Sequence, residues 1–242
     1  MPADPKNRIE PSTDAVTRFR LIDPPAGFVD DPYPWYAQLR RDSPVHRLSE
    51  RSYFLSRYDD VMAAYRDPST SSDKKAEFTP KFGDSPLLEH HTTSLVFNDP
   101  PLHTRVRRLI MGALNQRAIK RMEEGLVHLI GELLDQMEDL SEVDIIGDFA
   151  SRIPIEVIGN LLDIPRDERQ PLRAWSLAIL SALEPGPEPQ VLKTGNQAVV
   201  DFTDYLRRLV NDRRQTPGDP AVDVLTRLIQ GEKDGEKLTE SE

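Results

Sequence analysis

Apolar residues recur every three or four positions along most of the second half of the chain, and this spacing predicts a mainly helical protein. The clearest pattern places six apolar side chains on one helical face: Ile119, Met122, Leu126, Ile130, Leu133 and Met137. Similar spacing predicts helices over residues 153–164, 172–183 and 199–209, and the Asp-Pro pair at 219–220 predicts the start of another that runs to 229.

A small β portion is predicted near the N-terminus. The segment YPWYAQLRR fits a short helix ending at Arg41, and residues 45–57 contain two short strand-like runs around a polar Ser-Glu-Arg turn, which predicts a hairpin. Asp59 is expected to cap a short helix that reaches Tyr65 and ends before Pro68. The predicted fold class is therefore mainly α with a small β portion.

Two stretches lack periodicity. Residues 1–31 are polar and rich in proline, and they predict an extended N-terminal arm. Residues 69–97 predict an irregular loop that binds a ligand, although a disordered loop is the alternative. Residues 32–242 are then expected to form one domain. Its parts are short helices and a hairpin over 32–68, the irregular loop over 69–97 and the helical part over 98–242.

Composition narrows the possible functions. The formal net charge is −10, which argues against general nucleic-acid binding but allows a local basic site for one anion. The absence of cysteine excludes disulfides, cysteine-ligated zinc and any thiolate ligand from within these 242 residues. No run of about 18 apolar residues and no signal-like N-terminus is present, so we expect a cytoplasmic protein that spans no membrane.

The usual signatures of hydrolases and nucleotide-binding proteins are missing from the sequence, among them GxSxG, HExxH, GxGxxG and GxxxxGK[ST]. The tandem His90-His91 predicts no metal site. Neighbouring residues on a regular element point in different directions, and no third residue with ligand spacing stands nearby, so a pair in a loop is expected.

The segment FNDPPLHTRVRRLI, residues 97–110, carries the most specific chemistry. Asp99 is expected to cap a helix that begins near Pro100. Its apolar face is Val106, Leu109, Ile110, Ala113 and Leu114. His103 and Arg107, four residues apart, flank that face and could together bind a carboxylate; alternatively Arg107 pairs with an acidic side chain and His103 packs. Arg105 and Arg108 are expected to point away from the core.

The motif Asp-Pro-Pro-x-His-Thr-Arg-x-Arg-Arg, preceded by an irregular loop and followed by an amphipathic helix, resembles the C helix of soluble bacterial cytochrome P450 monooxygenases. The segments DPYPWYAQLRRDSPVH, YFLSRYDDVMAAYRDP and DIIGDFASRIPIEVIGNLLDIPRDER resemble the A, B and D-to-E regions of that family. The helices on either side of EPGPEPQ resemble F and G. The resemblance implies a P450-like helical fold in which His103 and Arg107 hold the heme propionates.

By the same resemblance, the enzyme would insert one oxygen atom from dioxygen into an apolar small molecule, with heme and electrons from a ferredoxin-type redox partner. Arg105 and Arg108 are the expected partner contacts. The expected substrate contacts, for which ordinary core packing is the alternative, are Leu87, Leu88, Leu95, Val96, Leu180 and Leu183.

The family's I helix, its Glu-x-x-Arg pair and its heme-ligating cysteine would lie beyond residue 242. The terminal Thr-Glu-Ser-Glu forms a capping box that predicts a helix start where the I helix would begin, although a surface acidic tail is the alternative. The chain is thus expected to be an N-terminal portion, without catalytic residues and inactive alone. Two rivals stay open: a noncatalytic helical ligand- or partner-binding protein, and a sensor binding an acidic ligand at His103 and Arg107 without heme.

Overall fold

The computed structural model describes residues 11–114, 116–138, 140–184, 186–221, 223–231 and 238, with side chains for all of these except residues 116–118, 121 and 124. The described helices and strands are α1 (Thr13–Thr17), α2 (Tyr33–Asp42), β1 (Val45–Arg47), β2 (Tyr53–Leu55), α3 (Tyr58–Arg66), α4 (Lys75–Phe82), α5 (Pro86–Thr93), α6 (Leu102–Ala113), α7 (Gln116–Glu138), α8 (Arg152–Leu161), α9 (Gln170–Ser181), α10 (Pro189–Gln215) and α11 (Val224–Gln230). Short 3-10 helices cover Leu95–Phe97 and Arg166–Glu168, and a π-helical segment covers Ile145–Ala150. This confirms the mainly helical fold class. The capping box at 239–242 lies outside the described residues.

The chain divides into two compact units, residues 1–71 and 72–242. The first contains the predicted hairpin, in which β1 and β2 pair antiparallel with Val45 opposite Leu55. Its core centres on Phe19, whose ring centroid lies 5.1 Å from that of Phe28 and 5.5 Å from that of Phe54. Trp35 of α2 is buried in the same cluster.

Two details of this unit differ from the sequence prediction. An extended arm over 1–31 is wrong for the described part, because α1 forms and Val16 and Phe19 are each only 1% exposed. The Ser12 hydroxyl caps α1 by accepting from the Ala15 amide at 3.2 Å. Asp59 lies in the first turn of α3 and does not cap it, since the helix already begins at Tyr58.

The second unit is a helical assembly whose core lies between α4, α5, α9 and α10. Its buried members are Phe78, Phe82, Leu87, Ile179, Ala182, Ala198 and Val199. Gly195 of α10 permits the close crossing with α9, because a Cβ there would lie only 3.2 Å from the Ala178 carbonyl oxygen. Among the helices that the structure describes, none combines the length and apolar character needed to cross a bilayer.

The prediction of an irregular loop over 69–97 is wrong. α4 and α5 occupy most of that stretch, and the Ser85 hydroxyl caps α5 by accepting from the Leu88 amide at 3.3 Å. Local composition concealed these helices, because Pro80 lies inside α4 and serine, threonine and proline surround both. Burial of Phe78 and Phe82, four residues apart, against the core supplies the stabilisation that local propensity does not.

The helix carrying the His-x-x-x-Arg pair forms as predicted but begins two residues late, at Leu102. Asp99 does not cap it with its side chain; the carboxylate instead accepts from the Ser72 amide at 2.8 Å. Val106, Leu109 and Ala113 are buried, which confirms the predicted apolar face. Ala113 packs against Val224 of α11, so the C-terminal end of α6 is anchored in the helical unit.

Candidate functional site: the basic face of α6

The His103 and Arg107 side chains stand one turn apart on α6. His103 is half-buried and Arg107 is exposed. Neither side chain makes a hydrogen bond or ion pair with any residue that the structure describes. The acidic partner that would have explained Arg107 by ordinary pairing is therefore not found within the described part of the chain.

Packing of α6 fixes the direction of this pair. Because residues four apart lie about 40° apart around a helix, the buried Val106 and Leu109 determine where the neighbouring His103 and Arg107 can point. One imidazole and one guanidinium on adjacent turns present donors of suitable spacing for two oxygens of one anion. A carboxylate group is the chemistry that this arrangement suits.

Asn98, which the sequence analysis did not single out, positions the start of α6. Its side chain is 5% exposed, and its Nδ2 donates to the Thr92 carbonyl oxygen at 2.9 Å and to the Ser94 carbonyl oxygen at 2.7 Å. These bonds join the end of α5 to the residue just before the Asp-Pro-Pro turn. An asparagine beside a turn is an ordinary sequence feature, so only the fold reveals the role.

Arg105 and Arg108, which were expected to point away from the core, lie beside Pro100 and Pro101 at the start of α6. Both are half-buried, and each interacts with other groups of the protein. They line an open cavity of about 630 Å³ together with Pro100, Pro101, Leu102 and Thr104. The apolar stems of arginine side chains commonly cover apolar surface, which accounts for this placement beside the prolines.

The six residues predicted to contact substrate do not share one environment. Leu87 has no exposed surface and is a core residue, because it is enclosed between α5, α9 and α10. Leu88 and Leu183 pack partly buried against that core, and Leu95 is half-buried. Val96 and Leu180 are 68% and 58% exposed, so they offer apolar surface to another molecule or segment.

The histidine pair lies in α5, so the prediction of a loop pair is wrong. The two rings contact each other, with Nδ1 atoms 3.4 Å apart. Burial, followed by the charges of His90 and Lys81, lowers the pKa of His91 to about 4, and burial also lowers the pKa of His90. No group of three or more potential metal ligands occurs among the described residues.

Sequence and structure comparisons find similar proteins that are named as bacterial cytochrome P450s. No protein-family model matches the chain. A cytochrome P450 of Bacillus subtilis is 31% identical over 222 residues, which is 89% of this chain and 53% of the relative. Cyclomarin C epoxidase CymV of Salinispora arenicola is 33% identical over 211 residues, 86% of this chain and 52% of the relative.

The fold agrees with these relatives. The solved structure of the cytochrome P450 PksS from the Bacillus subtilis bacillaene polyketide synthase superposes with a TM-score of 0.73 at 28% identity, covering 90% of this chain and 53% of that structure. The chain thus spans about half the length of the curated relatives that it matches.

Proposed function

We propose that the chain is part of a heme-dependent monooxygenase of the bacterial cytochrome P450 family, because it is about 30% identical to such proteins over most of its own length and shares their fold. The reaction would insert one oxygen atom from dioxygen into an apolar small molecule. Relatives named as epoxidases and hydroxylases support this class of reaction. Within the proposal, the described residues bind and orient heme and help to form the substrate side.

The residues of α6 fit one edge of heme. The porphyrin carries two carboxylates, and His103 and Arg107 offer cationic or neutral donors without an intramolecular partner among the described residues. We assign these two side chains to the propionates. Bound heme would supply the redox chemistry that activates dioxygen, while the chain itself would fix the orientation of the ring through α6.

Substrate and redox-partner contacts extend the same proposal. Leu180 and Val96 keep exposed apolar surface, Leu88 and Leu183 lie at the edge of the core between α5 and α9, and Leu95 is half-buried, so these side chains could contact an apolar substrate. Arg105 and Arg108, in the first half and the middle of α6, are proposed to meet an acidic ferredoxin-type partner. Leu87 is left out of this assignment because it is buried.

A porphyrin titration tests the propionate assignment. We expect Arg107→Ala to weaken binding of hemin by roughly tenfold, the usual effect of losing a charged hydrogen bond that is partly exposed to water. Binding of hemin dimethyl ester, which lacks the carboxylates, should not change. The measurement is fluorescence quenching of the two tryptophans in the 242-residue chain.

Arg173→Ala, at an exposed position of α9, is the matched control and should bind both porphyrins as the unchanged chain does. Equal hemin affinities for the Arg107→Ala and Arg173→Ala variants would contradict the assignment. Competition by a colourless dicarboxylate as effective as hemin itself would favour the sensor for acidic ligands instead.

A second spectroscopic prediction concerns the axial ligand. Since the 242 residues contain no cysteine, the reduced hemin complex of this chain with carbon monoxide should lack the Soret band of a thiolate-ligated heme. The carbon monoxide difference spectrum measures this directly. Appearance of the thiolate-type band would contradict the prediction that these residues supply no thiolate ligand to the heme iron.

A further inference from the structure

His91 is a basic side chain enclosed by aromatic rings on the inner side of α5. It is 2% exposed, and its ring centroid lies 5.5 Å from that of Phe78, 5.3 Å from that of Phe82 and 5.8 Å from that of Phe97. Among the described residues, no hydrogen-bond partner reaches its buried Nε2. Its Nδ1 faces His90. This environment has no acceptor for a second ring proton, so the packing requires the neutral imidazole.

Lys81, in the last turn of α4, ties that helix to the turn that follows α9. Its Nζ donates to the Leu183 carbonyl oxygen at 2.9 Å and to the Glu184 carbonyl oxygen at 3.1 Å. These carbonyls lie just past the C-terminal end of α9, where the helix dipole favours a cation. The bond therefore connects two segments about a hundred residues apart in sequence.

The charges around His91 act in one direction. His90 on α5 and Lys81 on α4 are the ionisable groups whose charges act on it. Both disfavour a positive charge on the His91 ring. Lys81 is itself close to Glu77 and Glu184. The members of the surrounding core cluster that α9 and α10 contribute are apolar: Ile179, Ala182, Ala198 and Val199. Among the described residues, the charges that act on His91 are those of His90 and Lys81, and neither is a carboxylate that could compensate a protonated His91.

We propose that His91 and Lys81 form an acid-sensitive lock on α4: Lys81 holds the helix closed at neutral pH, and protonation of His91 releases it. A charged imidazole between Phe78 and Phe82 can be hydrated only if the rings of α4 move away. Release would expose the inner side of α5 without unfolding the remaining helices. The lock is a property of these side chains and does not depend on heme.

The expected pH dependence follows from proton linkage. The lowered pKa of His91 means that the open form, in which His91 titrates near 6.5, binds more protons than the closed form. Closure is therefore fully favoured above about pH 6.5, and the ratio of closed to open molecules falls by up to about tenfold per pH unit between there and about pH 4.

Hydrogen–deuterium exchange of the backbone amides in α4, corrected for intrinsic exchange at each pH, tests the lock. In the unchanged chain, protection of residues 78–82 should fall by up to about tenfold per pH unit below pH 6, while α7 stays protected. His91→Phe should remove this fall. Lys81→Ala should reduce protection of α4 already at pH 7 and confine the fall to a narrower range, because the pKa of His91 then rises.

Lys75→Ala is the matched control, since Lys75 is exposed at the other end of α4. It should behave as the unchanged chain. The proposal is overturned if His91→Phe keeps the original pH dependence, if Lys81→Ala protects α4 as well as Lys75→Ala does, or if α7 loses protection in parallel with α4. Should phenylalanine overfill the site and prevent folding, His91→Met provides the same test with a flexible apolar side chain.

Discussion

Replacing Arg169 with alanine is expected to lower the free energy of unfolding by about 3 to 5 kcal/mol, the usual cost of removing one partner from a buried ion pair. Arg169 is 6% exposed and lies between α8 and α9. Its guanidinium donates to the Glu156 carboxylate at 2.6 Å, to the Asn160 side-chain oxygen at 2.9 Å and to the Ile164 carbonyl oxygen at 2.6 Å. All three acceptors lose this donor in the variant.

Urea denaturation followed by circular dichroism measures the effect, with Arg173→Ala, at an exposed position of the adjoining helix α9, as the control. Gly159 adds a second test. A Cβ at this position would overlap the Arg169 side chain, so Gly159→Ala should be strongly destabilising in the unchanged chain and much less so when combined with Arg169→Ala. Additive effects of the two changes, or a loss no greater than that of the control, would refute this account of the α8–α9 junction.

The second large effect is expected at Asp223, where alanine should cost about 3 kcal/mol. The carboxylate caps α11 by accepting from the Leu225 amide at 3.0 Å and the Thr226 amide at 3.2 Å. It also accepts from the Thr226 hydroxyl at 2.5 Å and from the Arg213 guanidinium. Removing it leaves Arg213, only 11% exposed, with the more exposed Asp163 as its remaining carboxylate partner.

This network also has a defined pH dependence. Burial alone would raise the pKa of Asp223, but the hydrogen bonds from Thr226 and the charge of Arg213 outweigh burial, so the pKa is lowered. The stabilisation is therefore complete above the ordinary aspartate pKa of 3.8 and is lost as the pH falls through the lowered value.

Thermal unfolding at several pH values, compared between the unchanged chain and Asp223→Asn, tests whether stability falls with acidification as this lowered pKa requires. Asparagine keeps a capping oxygen but not the charge, so the difference between the two proteins should shrink as the solution is acidified below pH 4. Asp201→Ala, at an exposed position of α10, serves as the control. A difference that stays constant through this range would show that the charge of Asp223 contributes nothing.

Periodic apolar spacing was a sufficient guide wherever a helix is long or has a clear buried face. α7, α8 and α9 lie where the pattern predicted them, and β1 and β2 flank the predicted turn. The failures are α1, α4 and α5, each of eight residues or fewer. Short helices gain little from local propensity, so their formation depends on buried side chains such as Val16 and Phe78 that contact residues distant in sequence.

At the candidate site, too, local spacing predicted some features, whereas others depend on contacts with distant segments. The four-residue spacing of His103 and Arg107 places the two side chains on the same side of α6, since helical geometry alone brings such residues together, but their binding of an anion stays a prediction. The half-burial of Arg105 and Arg108 and the enclosure of Leu87 were not predictable in this way. Those properties depend on which neighbouring segments cover each face of a helix.

The amino-acid order by itself determined the helical class, the hairpin, the pairing of an imidazole with a guanidinium and the family resemblance, because each arises from residues close together in the chain. Only the tertiary structure decided that Asn98 anchors the start of α6, that the Arg169 side chain packs against Gly159 and that His91 is buried against the aromatic rings of α4. These depend on contacts between distant segments, and such contacts exist only once the helices have packed and excluded water.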